Sequence, residues 1–168
     1  MLNIIFMFDF KLYSIDDFSS FEKIFFASNK NKDLVLLNLG TKKFNYDSFG
    51  VELGDELKKL NFFVYGCSKR EINGKNFAQV IDFIKKKHTN CKLIVIDSVY
   101  VAEGNKPILI YREGQTRVSC LNSTKFVGDA SILFNSFSQK NRNLAKLVIF
   151  YVKKMFKKYE EKLKKGNI

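Results

Sequence analysis

Two unbroken apolar runs constrain this chain more than anything else in it. Asp33-Leu-Val-Leu-Leu-Asn-Leu-Gly40 and Lys92-Leu-Ile-Val-Ile-Asp97 show no polar alternation. A strand with one wet face alternates, whereas a strand covered on both faces does not, so each run reads as a buried strand of a parallel sheet. Between and around them lie amphipathic segments. Ser14 or Asp16 can cap a helix carrying Phe18, Phe21, Ile24 and Phe25 on one face. Phe49, Leu53, Leu57 and Leu60 give helical spacing from Ser48 to Leu60, and Phe77, Val80, Ile81 and Ile84 give another helix running out through Lys85-Lys-Lys. Phe62–Gly66 reads as a further short strand, and residues 1–13 as an edge strand. Pro107–Tyr111 and Thr116–Leu121 read as a hairpin around Glu113-Gly114-Gln115. Ser131–Phe134 precedes a long final helix from about Gln139 to Lys165. Strands alternating with helices of this length predict an α/β fold: a three-layer α/β/α sandwich with a mainly parallel sheet.

With 168 residues and no repeat or Pro/Gly/Ser linker, the chain reads as a single domain over 1–168. Its formal charge of +12 is unevenly placed: residues 85–168 hold 18 Lys/Arg against 6 Asp/Glu, while the first half is neutral. The last helix keeps an apolar stripe of Leu144, Leu147, Val148, Tyr151, Val152, Met155, Phe156 and Tyr159, which suits core packing at its start, while its basic end, 153–168, can protrude. Its lysines suit an anionic partner, a nucleic acid or an anionic membrane, and the chain is then a non-catalytic binding or regulatory protein. Cys67, Cys91 and Cys120 are odd in number and widely spaced, which fits reduced thiols and a cytoplasmic location. The apolar start of the chain stops at Asp9, too short to span a bilayer. His88 is the only histidine and no ligand cluster surrounds it, so no metal and no cofactor are expected.

In parallel sheets, ligands bind beyond the carboxyl ends of the strands. That rule selects Asp97, which ends its strand, and Asp47, in the loop after the first buried strand. A carboxylate beside a core costs several kcal/mol unless paired or hydrogen-bonded. Asp97 therefore either binds loop amides or works in a site. Asp47 either caps the helix behind it or faces the cleft. Two carboxylates on neighbouring strand ends can hold one water, one as base and the other as acid, which is a hydrolase arrangement.

Four segments carry a family resemblance. They are Gly40-Thr41, five residues, then Asp47-Ser48-Phe49-Gly50; Val64-Tyr65-Gly66, nine residues, then Asn76-Phe77; Ile94-Val-Ile-Asp97-Ser98; and Val127-Gly128-Asp129. In order and spacing they resemble the YyaC-like sporulation-protein family, related to the germination protease of spores and to the fold of hydrogenase-maturation proteases. The resemblance implies an aspartic-type endopeptidase acting on a protein or peptide substrate. It implies Asp47 and Asp97 as the catalytic pair, with Gly40, Thr41, Ser48, Asn76 and Asp129 lining the substrate cleft. Asn73 stands where many relatives carry histidine, so no nickel site carries over.

Overall fold

The computed structural model describes residues 9–100, 108–120, 123–137 and 139–166. In chain order the elements are β1 (Asp9–Leu12), α1 (Phe18–Ser28), β2 (Leu34–Asn38), α2 (Phe49–Leu57), β3 (Phe63–Tyr65), α3 (Phe77–Lys87), β4 (Lys92–Ser98), β5 (Leu109–Glu113), β6 (Thr116–Cys120), β7 (Ser123–Val127), β8 (Ala130–Phe134) and α4 (Gln139–Lys164). Six strands form one mixed sheet in the order β1-β5-β8-β4-β2-β3, and β6 and β7 form a separate two-stranded sheet. The ladders β2–β3, β2–β4 and β4–β8 are parallel, and those of β5 with β8 and β1 are antiparallel. Over the described residues the chain is thus α/β with a mostly parallel sheet and four α-helices.

Every residue of β2 is buried, as its unbroken apolar run requires. Alternation along β2 and β4 divides the core. Leu34, Leu36, Ile94 and Ile96 pack with Phe21 and Phe25 of α1, Leu53 and Leu57 of α2, and Val152 and Phe156 of α4. Val35, Leu37, Leu93 and Val95 pack with Phe77, Ile81 and Ile84 of α3 and with Val118 and Val127 of the small sheet. Each such side chain contributes about 1.5–3 kcal/mol through burial.

The expected hairpin does not form. β5 sits between β1 and β8, and β6 pairs instead with β7. Leu109, Ile110 and Tyr111 are all buried, and an interior seat in the sheet pairs both edges of their strand. Gly114, at φ 95°, then turns the chain out, its N–H donating to the Asp129 carbonyl at 2.8 Å. Pro107, Leu121 and Asn122 lie outside the described residues.

The C-terminal helix also departs from expectation, because α4 stays docked well beyond Lys153. Met155, Phe156 and Tyr159 are fully buried and Leu163 packs against the same core. Lys153 and Lys158 reach back to Glu56 and Glu22, and the Lys162 ammonium lies 4.5 Å from the centre of the Phe26 ring. The Tyr159 hydroxyl meets the Asn29 carbonyl and, at 2.8 Å, that of Lys32. Replacing Tyr159 by Phe is expected to cost about 1–2 kcal/mol in chemical denaturation, because buried carbonyls lose their donor. Among the described residues no helix is long and apolar enough to cross a membrane.

Candidate functional site

The two buried runs lie side by side. Asn38 of β2 is opposite Ile96 of β4, and the Leu39 N–H continues the ladder to the Ile96 carbonyl at 2.8 Å. Gly40 therefore leaves the sheet beside Asp97 and Ser98, the last two residues of β4, which still pair with Leu133 and Phe134 of β8. Gly40 has φ 127°, and a Cβ there would stand 2.1 Å from the Asp47 carbonyl oxygen. Glycine alone lets residues 41–47 fold back onto the strand end. That loop is closed by Thr41 N–H donating to the Asp47 carbonyl at 3.0 Å and Asp47 N–H donating to that of Phe44 at 2.9 Å.

A neighbouring segment braces it. Glu71 accepts from the Thr41 hydroxyl at 2.7 Å and from the Lys42 N–H at 2.8 Å, and Gly40 N–H donates to the Ile72 carbonyl at 2.9 Å. On the far side the Ser136 hydroxyl donates to the Tyr46 carbonyl. The N-cap of α2 falls on Ser48, whose hydroxyl donates to Asn45 O at 3.2 Å and makes no cap bond. Asp47 thus stands one place ahead of the capping position.

Asp97 follows Leu93 and Val95 on the α3 face of β4, at the end where the apolar contacts stop. Crowding by the fold raises its carboxyl from the usual 3.8 to about 7, the charge of Asp47 adds to the rise, and the Ser98 N–H, 2.8 Å from Oδ1, opposes it. Asp97 nonetheless keeps part of its surface open, so the group is crowded yet reachable. Asp47 is also raised, first by burial and then by the charge of Glu71, with the Thr41 N–H pulling the other way. The charge of Asp47 thus acts on Asp97, whose neutral form is favoured up to about pH 7.

The structure therefore brings Gly40, Thr41, Asp47, Ser48 and Asp97 to one end of the sheet. Asn76 belongs to the bracing segment, where its amide is spent on local turns: Oδ1 accepts from Asn73 N–H at 3.0 Å and Nδ2 donates to Glu71 O at 2.9 Å. It supports the loop that supports Asp47. Asp129 corrects the expectation that it lines the same cleft. Its Oδ2 accepts from Leu93 N–H at 2.8 Å and its own N–H donates to the Leu93 carbonyl. Leu93 is the second residue of β4 and Asp97 lies four residues on, so Asp129 is about 13 Å away, towards the opposite end of the strand. Its carboxylate staples the start of β4 to the turn before β8.

Two features escaped the sequence. Glu71 sits in a loop without periodicity or motif, and its role exists only through the fold. The second is an aromatic ladder at the rim. Phe44 stacks on Tyr46 with ring centres 5.4 Å apart, Tyr46 on Phe137 at 5.0 Å, and Phe137 meets Tyr100 at 5.3 Å. All four rings are exposed. They come from three separate loops, so no spacing along the chain announces them.

A family model matches residues 12–158, and its description is a protein of unknown function, DUF1256. No curated protein matches the chain.

Proposed function

The chain belongs to the DUF1256 family, and from that premise we propose that it is a peptidase-like hydrolase in which Asp97 and Asp47 activate a water molecule. We place it in the YyaC-like branch, with the two covered sheet faces forming a three-layer α/β/α sandwich, working in the cytoplasm on a protein or peptide substrate. The observation that carries the reading is the coupled pair: one carboxyl raised to about 7, partly open, beside a second raised carboxyl.

In this mechanism Asp97 holds the shared proton and Asp47 is ionised. Asp47 takes a proton from water as the water oxygen bonds to the scissile carbonyl carbon. Asp97 gives its proton to the carbonyl oxygen. On collapse, the C–N bond breaks, the amine takes the proton held by Asp47, and the hydroxyl proton returns to Asp97. Activity requires Asp97 protonated, so it falls as pH rises through about 7. The aromatic rim offers apolar surface to an extended substrate.

The test is exposure of a proteome-derived peptide library to the protein, with new termini read by mass spectrometry. The wild type is expected to generate a defined set of termini with a falling limb near neutral pH, and Asp97→Asn none. Equal cleavage by the Asn variant sinks the mechanism.

A further inference from the structure

A concave site lies beside the edge of the sheet, bordered by Glu71 and Asn76 of the bracing segment. β3 is an edge strand, and among the described residues no strand pairs with its outer side. That free edge is not flush with the surface. It lines a cavity of about 520 Å³ that Val64, Tyr65 and Gly66 share with Val80 and Phe83 of α3. Phe83 is half exposed and Val80 partly so, giving the groove an apolar wall along the strand. The far end is closed by a tight turn in which Cys67 and Arg70 exchange both backbone hydrogen bonds, at 3.2 and 3.0 Å.

Two cations stand at that closed end, beside the Asp55 carboxylate that accepts from the N–H and hydroxyl of Ser68 in the turn. Arg70 is exposed and lines the cavity, and among the described residues no carboxylate pairs with it. Lys58 lines the same end, its ammonium 3.0 Å from the Cys67 sulfur. Glu71 also borders the cavity, but both its oxygens are turned away to Thr41 and Lys42. An unpaired strand edge, an apolar wall beside it and cations where the strand ends are together complementary to one kind of occupant.

We propose that this groove binds the C-terminal end of an extended peptide, which adds to β3 as a further parallel strand. Parallel addition puts the peptide's terminal carboxylate at the Cys67–Arg70 turn, where Arg70 and Lys58 meet it. The last apolar side chains then lie against Val80 and Phe83. The groove is separate from the aspartate pair, and the inference stands whether or not that pair is catalytic.

The probe is a pool of fluorescein-labelled hexapeptides ending in Val, Leu or Phe with a free carboxylate, beside the same pool amidated at the C-terminus. Fluorescence anisotropy with full-length protein is expected to show saturable binding of the free acids. Amidation, or Arg70→Ala, is expected to weaken it about tenfold, and Arg70→Lys to restore part of the loss. Hydrogen exchange is expected to slow, when peptide is bound, at those backbone amides of residues 63–66 that face away from β2. Equal binding of the amidated pool overturns the proposal, as does binding that leaves those amides unprotected or no binding up to about 1 mM peptide. Self-association of the protein through β3, seen by sedimentation and competing with peptide, also overturns it, since the occupant is then a second copy.

Discussion

Asp97→Asn is expected to stabilise the protein above neutral pH while removing hydrolysis. The folded state holds the Asp97 proton to about pH 7, whereas the unfolded chain releases it near 3.8. Between those values the folded state binds more protons, so its stability declines as pH rises. The favourable contribution of the neutral carboxyl is complete below the unfolded value and is lost as pH passes the folded one. Asparagine keeps the neutral shape and never ionises, so the variant does not suffer this loss. Part of the group is open to solvent, which reduces the full linkage value to roughly 2–3 kcal/mol. Chemical denaturation at about pH 4 and about pH 8.5 measures it: the two proteins are expected to be similar at the lower pH and the variant more stable at the higher. A residue that weakens the fold in the form it takes at high pH is one whose presence needs a functional reason. A variant less stable than wild type at both values would show that Asp97 holds the loop ends together as an ionised group.

Gly40→Ala is expected to act on both fold and site. The backbone at φ 127° disfavours any L side chain, and the added methyl would lie 2.1 Å from the Asp47 carbonyl oxygen and 3.5 Å from Asp47 Oδ1. Strain and displacement together are expected to cost about 2–4 kcal/mol. The loop can relieve the clash only by moving Asp47 away. That removes a charge that raises Asp97, so the Asp97 carboxyl should titrate lower in the variant. Denaturation reads the first effect, and carboxyl titration by NMR reads the second in whatever fraction folds. Unchanged stability and titration would mean that residues 41–47 do not hold Asp47 against the strand end.

These residues were legible in the sequence because their signals are local. An unbroken apolar run ending in Gly40, and another ending in Asp97, mark two buried strands and the place where each stops. The helices announced themselves by periodicity in the same way. What failed required knowing which distant segments meet. The run at 109–111 fits a hairpin arm as well as an interior strand, and only its neighbours β1 and β8 decide. The family resemblance made Asp129 a third cleft acid, yet its bond to Leu93 places it at the other end of β4. Glu71 and the aromatic rim had no local signal, since their roles arise from loops joined only in the folded chain. The basic tail was legible only in part. Its lysines form an obvious run, but Met155, Phe156 and Tyr159 between them carry the buried stripe that keeps the helix docked.

The coupling between the two aspartates is the centre of this account, and carboxyl carbon chemical shifts followed through a pH titration test it directly. Asp97 is expected to titrate at about 7 in the wild type and lower in Asp47→Asn, where the neighbouring charge is gone. An Asp97 carboxyl that titrates in the ordinary range near 3.8, or that does not respond to Asp47→Asn, would contradict the shared-proton site.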